Sequence, residues 1–166
     1  MLKRFALLAC LVTGAGLLAT GGALADAGGQ GTVTITQHAS NVELFPPMSV
    51  TNPCNGQSGT LSAIAANSVF HVTFFTNGDE FWVTGTGEGT ATLTPSGPSG
   101  VSYKGHFAAW FGESSNNKND VQHDTNTFVL TGSDGSHVVI HMVDHLSTNA
   151  NGVVTVTFSN FSFSCG

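Results

Sequence analysis

The chain has 166 residues, only 8% of them charged, with 21 glycines and 40% hydrophobic side chains. Ten carboxylates stand against four basic residues, two of which, Lys3 and Arg4, belong to the extreme N-terminus. That balance argues against nucleic-acid binding and against docking to anionic lipid, both of which need clustered Lys and Arg.

In chain order, Met1-Leu2-Lys3-Arg4 is followed by an apolar run over 5–19 and then by Ala23-Leu24-Ala25. A basic start, a short apolar middle and an A-x-A end describe a secretory signal peptide over 1–25. The run is too short and too rich in Gly and Ala for a membrane span of about 20 apolar residues. The alternative is a lipoprotein signal at Leu7-Leu8-Ala9-Cys10. Cleavage after Ala25 leaves Lys104 and Lys118 against ten carboxylates, a net charge of −8. The expectation is a secreted or periplasmic protein, with residues 26–166 forming one domain large enough to bury a core.

Past residue 31 the pattern has period two, and no window shows the i, i+3, i+4, i+7 spacing of an amphipathic helix. Strands are expected over 32–38 and 60–76. Cys54, between them, and Cys165, near the C-terminus, are expected to pair in an oxidising compartment. Their bridge would close a loop of about 110 residues, with up to about 4–5 kcal/mol of chain-entropy stabilisation. Asn77-Gly78 is a hairpin signal leading into the clearest strand, 80–94. There Phe81, Val83, Gly85, Gly87, Gly89, Ala91 and Leu93 share the packed face, and Trp82 and the threonines share the wet one. Glycines on a packed face point to coiling or to close approach of a neighbour.

Residues 95–100 form the next turn. The following strand puts Val101, Tyr103, Gly105, Phe107, Ala109 and Phe111 on one face. Residues 112–120 read as a polar loop, 122–131 as a strand, Ser133-Asp134-Gly135 as a turn, and 136–146 as another strand. After Asn149-Ala150-Asn151-Gly152 comes the last strand, over 153–164. There Val154, Val156 and Phe158 have one parity and Phe161 and Phe163 the other, so a bulge near Ser159-Asn160 is expected to turn both sets inward. Short connections throughout favour an all-β, up-and-down antiparallel barrel of about eight strands. A two-sheet sandwich is the alternative.

Thr51-Asn52-Pro53-Cys54-Asn55-Gly56, with Tyr103-Lys104-Gly105, residues 141–145, Asn149-Ala150-Asn151-Gly152 and Asn160-Phe161-Ser162 before Cys165, resembles a family of small secreted bacterial proteins. Their marks are an N-P-C-x-G motif and a Cys close to the C-terminus. The resemblance implies export, a disulfide and one β domain, and carries no catalytic residues. By fold analogy the meander is also similar to calycin-type and dirigent-type barrels.

Seven histidines call for an explanation. On a helix His141 and His145 would chelate zinc, but Val138, Val139, Ile140 and Val143 favour a strand. Four residues along a strand span about 13 Å, too far for one ion, so no local metal motif is expected. A site shared between strands, with His71, His106 or His123, remains open. The histidines either line a ligand mouth or stand exposed opposite a core face of Val138, Ile140, Met142 and Leu146, and the second arrangement is the more apolar. No nucleophile elbow is present, and His123-Asp124 and Asp144-His145 point to opposite faces of their strands. No catalytic residue and no cofactor are expected.

The leading expectation is a non-catalytic barrel holding a small apolar or aromatic ligand against Phe81, Tyr103, Phe107 and Phe111, with His141 at its mouth. One alternative is a surface-interaction module built around Trp82 and Trp110. The other is a barrel enzyme of cyclase or isomerase type with Tyr103 and a histidine as acid and base.

Overall fold

The computed structural model describes residues 31–75 and 80–166. The expected signal segment and the Asn77-Gly78 turn lie outside the described residues. The described chain is all-β, with eight antiparallel strands in one sheet. They are β1 (Thr32–Ala39), β2 (Val42–Thr51), β3 (Ser58–Phe75), β4 (Glu80–Pro95), β5 (Tyr103–Asn116), β6 (Asn119–Gly132), β7 (His137–Asn149) and β8 (Val154–Cys165).

From β3 to β8 each strand pairs with the next, as expected for an up-and-down meander. β1 and β2 lie end to end along the free edge of β3. The first pairs with Ser68–Phe75 and the second with Ser58–Thr60 and beyond, up to Ala65. The break between them falls at Ser40-Asn41, where Asn41 takes a φ of 57°, a left-handed turn that Asn tolerates better than most residues.

One face of the sheet carries the core. Cross-strand layers run Leu61, Leu93, Tyr103; then Ala63, Ala91, Gly105, Leu130, Val138; then Ala65, Gly89, Phe107, Phe128, Ile140. All the non-glycine members are buried. Strand alternation places these residues together, and the Ala and Gly positions on β3 and β4 leave room for the rings opposite.

The sheet is rolled. In a flat sheet β2 and β6 lie four strand spacings apart, about 19 Å. Yet Phe45 of β2 packs edge-on against Phe128 of β6, with ring centroids 6.4 Å apart. At the same end Cys54, just after β2, is bonded to Cys165 at the end of β8, with Cα atoms 5.7 Å apart. Among the described residues no backbone ladder joins β8 to β1 or β2. The two edges of the roll are therefore tied covalently at one end, not zipped along their length.

Three sequence expectations need correcting. Residues 112–120 are not a loop: β5 runs to Asn116 and β6 starts at Asn119. The Asn116 Oδ1 accepts from the N–H groups of Lys118 and Asn119 and closes a tight hairpin. Second, β2 fills residues 42–51, between the strands expected over 32–38 and 60–76. Its Pro46 and Pro47 fall at a register shift between Phe45 and Met48, where a missing N–H breaks no ladder bond. Third, there is no bulge at Ser159-Asn160, because the pairing of β8 with β7 is continuous from Val156 to Cys165. Phe161 and Phe163 lie opposite Met142 and Ile140 on the core face, while Val156 and Phe158 lie opposite Ser147 and His145 on the other.

Candidate functional site

The disulfide end is a locked structure. Asn52 is fully buried, and its Oδ1 accepts from the Cys54 N–H at 2.9 Å. Asn55 Oδ1 does the same for the Gln57 N–H at 3.0 Å. Between them Gly56 takes a φ of +73°, a left-handed conformation that glycine adopts without strain. The Gln57 amide then pairs with both backbone groups of Val101, each at 2.9 Å. The Asn52–Gln57 turn thereby pins the 95–102 turn.

Tyr103 is bound into the same end. Its hydroxyl lies 3.2 Å from Asn55 Nδ2 and 3.0 Å from Ser136 Oγ. Ser136 Oγ also lies 2.6 Å from an Asp134 carboxylate oxygen. A serine hydroxyl has one proton, and the short bond to the carboxylate takes it. The Tyr103 oxygen accepts from Asn55 Nδ2 and is the second acceptor within reach of the Ser136 hydroxyl. Hydrogen bonds from the Ser136 hydroxyl and backbone N–H hold the Asp134 carboxyl below the usual carboxylate range. A shallow concavity of about 380 Å³ lies outside this cluster, lined by Cys54, Asn55, Tyr103, Asp134, Ser136 and His137 among others.

The opposite half of the core face is open. Beyond the Phe107–Phe128 layer it continues through Ser68, Gly87, Ala109, Asn126, Met142 and Phe161, then Phe70, Gly85, Phe111, Asp124, Asp144 and Ser159. Phe70 and Phe111 meet with ring centroids 5.7 Å apart. Phe111 covers Gly85, whose missing side chain leaves space for the ring. Both rings are only partly buried, as is Phe81 farther along, and Phe161 is half exposed. Rings line the strip on β3–β5 and on β8, while Asp124 and Asp144 between them on β6 and β7, with Glu113 beyond Phe111 on β5, make an acidic stretch.

The expected ligand residues are thus divided. Tyr103 and Phe107 sit in the filled, disulfide-tied half, and Phe81 and Phe111 in the open half. His141 does not join them: it is exposed on the convex face, its Nδ1 2.9 Å from Thr127 Oγ1. The core face of β7 is made by Val138, Ile140 and Met142, the more apolar of the two arrangements that the sequence allowed.

The acidic strip was not foreseen. Asp124 and Asp144 are direct cross-strand partners. Burial, then repulsion from Asp144, raises the Asp124 pKa against a smaller opposing effect of His123. Burial likewise raises that of Glu113, helped by Asp120. A signal for the pairing exists in the sequence. His123-Asp124 and Asp144-His145 are placed symmetrically about Asp134, the centre of the Ser133-Asp134-Gly135 turn, so a hairpin folded there sets His against His and Asp against Asp.

On the convex face three histidines are tied to cross-strand threonines: His71 to Thr36, His141 to Thr127 and His137 to Thr131, at 2.9–3.2 Å. His123 and His145 instead meet each other, ring centroids 5.7 Å apart. Trp110 packs edge-on against His123 at 5.5 Å. Among the described residues no group of three or more His, Cys, Asp or Glu is placed to hold a metal ion. The chain matches no protein-family model, no curated protein and no solved structure.

Proposed function

We propose that this protein is an exported, non-catalytic β scaffold that binds a small apolar or aromatic compound on the open half of its concave face. The observation that carries this reading is the group of partly exposed rings Phe70, Phe81 and Phe111 on β3–β5, with half-exposed Phe161 across the face on β8, in the open half of a face whose other half is filled. Export is supported by the signal-like N-terminus and by the Cys54–Cys165 bond, which persists in oxidising compartments. Tyr103 gives no support to acid–base catalysis, because its hydroxyl is buried and doubly hydrogen-bonded.

The test uses N-phenyl-1-naphthylamine, an uncharged apolar probe whose emission rises out of water. Saturable binding is expected, weakened roughly tenfold or more by Phe111→Ala, since burial of a Phe contributes about 1.5–3 kcal/mol. Absence of saturable binding, or binding indifferent to Phe111→Ala, would overturn the reading. Native mass spectrometry of exported protein tests separately for a retained compound.

A second reading has its own observation. Trp82 and Trp110 are 50% and 40% exposed on the convex face, where a partner's surface would meet them. It predicts that Trp82→Ala and Trp110→Ala leave probe binding on the concave face unchanged while abolishing capture of that partner.

A further inference from the structure

We propose that His123 and His145 form a two-imidazole site for a divalent cation of the nickel–copper–zinc group on the convex face. The two residues are direct partners across the β6–β7 ladder, with ring centroids 5.7 Å apart at an interplanar angle of 60°. Ring nitrogens lie about 1.1–1.2 Å from the centroid of a five-membered ring with bonds near 1.35 Å. Nitrogens turned toward each other therefore come within about 3.4 Å. An ion bound 2.0–2.1 Å from each nitrogen spans up to about 4.2 Å. The pair fits one ion after rotation about χ2 alone, with water completing the shell.

The surroundings hold the pair ready. Gly112 is the β5 partner of His123, and Phe158 is the β8 partner of His145. The Trp110 indole lies across the space that a side chain at Gly112 would fill and packs on His123. The imidazoles thus stand beside an indole on two strands fixed by a continuous ladder, so little motion is lost on binding. Both rings are partly buried, which leaves an approach from solvent. The next pair along the same strands, Asp124 and Asp144, projects from the opposite face and adds negative potential that favours a cation.

The histidine type and count select the ion. Neutral imidazole suits Ni, Cu and Zn and suits Mg and Ca poorly. Two nitrogens with open positions accord with tetragonal Cu(II), which also leads the affinity series for such donors. Of the other histidines, His71, His137 and His141 are each hydrogen-bonded to a threonine on the next strand.

Copper(II) chloride titrated into the untagged protein at pH 7.5, in a buffer that does not chelate, tests the site by calorimetry and tryptophan emission together. The expected result is one saturable ion per chain with quenching of Trp110, which touches a ligand ring. His123→Ala and His145→Ala should each weaken binding at least about tenfold, the lower end of what loss of even a supporting contact costs. His71→Ala should leave it unchanged. Trp110→Phe should keep the affinity and lose most of the quenching, which separates binding from mere collisional loss of emission. Circular dichroism of each metal-free variant confirms that the fold is retained. Saturable binding that survives both histidine substitutions, or no saturable binding to the folded wild-type protein, would overturn the proposal.

Discussion

Individual positions on the core face differ sharply in what they tolerate, and two glycines on β4 show why. A Cβ at Gly89 would meet the backbone of Ile64, Ala65 and Ala66, where β3 shifts register between Ala65 and Asn67. Backbone cannot rotate away. At Gly87 the nearest atoms are the Ser68 hydroxyl at 3.3 Å and a Leu44 methyl at 3.7 Å, and both side chains can give. Gly89→Ala should therefore destabilise by about 1–3 kcal/mol, as overpacking does, while Gly87→Ala stays within about 0.5 kcal/mol. Denaturant unfolding of the two variants checks the contrast. The Asp124–Asp144 pair gives a second test. Burial and the facing carboxylate raise the Asp124 pKa in the folded state, so the folded protein holds more protons than the unfolded chain just above the ordinary carboxylate range. Stability contributed by this group falls as pH rises through that window and returns on acidification. Asp124→Asn should thus stabilise at pH 7, by roughly 0.2–1 kcal/mol for one like-charged cross-strand contact, and flatten the slope of Tm against pH between the carboxylate range and neutrality.

The strands themselves were legible wherever one face is wet and the other apolar. β4 and the first half of β5 show that alternation, and their packed and wet faces are those the pattern predicts. The signal is lost where the binary pattern fails. Glu113, Ser114, Ser115 and Asn116 are polar on both faces because the core face becomes acidic at the open end, so a strand reads as a loop. Pro46-Pro47 hides β2 for the opposite reason, since proline counts against a strand and is tolerated here at the register break along the sheet edge. On β8, Phe158 and Phe161 fall on opposite faces, and the expectation of one core face per strand supplied a bulge that does not exist. Both faces of β8 stay half exposed: Val154, Val156, Phe158, Phe161 and Phe163 each lie at 50–52%. The strand has no charged residue, no proline and, among the described residues, no partner on its outer edge. Such an edge is a template for pairing with another chain. Val156→Lys, on the convex side, should raise the protein concentration at which light scattering first detects association, without lowering Tm by more than a degree or two, as expected of an exposed position.

For the whole molecule, the decisive element is the way the roll is fastened. Hydrogen bonds hold each strand to its neighbours from β1 and β2 through to β8, but none among the described residues holds the first edge to the last. What crosses the gap is the Cys54–Cys165 bond and, across the interior, the Phe45–Phe128 contact. Both lie in the same half, so the roll is tight there and open at the other end, and the same asymmetry leaves the phenylalanines of the open half partly exposed. The disulfide spans 111 residues, and a loop of about that length corresponds to about 4.7 kcal/mol of chain entropy, with measured losses of about 2–5 kcal/mol. Replacing both cysteines by alanine should cost stability in that range. The loss should be uneven. β3 to β7 keep a neighbour on each side, whereas β2 and β8 keep only one, so amide exchange should quicken first in β2, the Asn52–Gln57 turn and β8. Uniform loss of protection across all strands would mean that the sheet behaves as one cooperative unit and that the seam contributes only through the unfolded chain. Early loss confined to the two edges, with probe binding weakened in parallel, would mean that the covalent tie sets the curvature on which the open face depends.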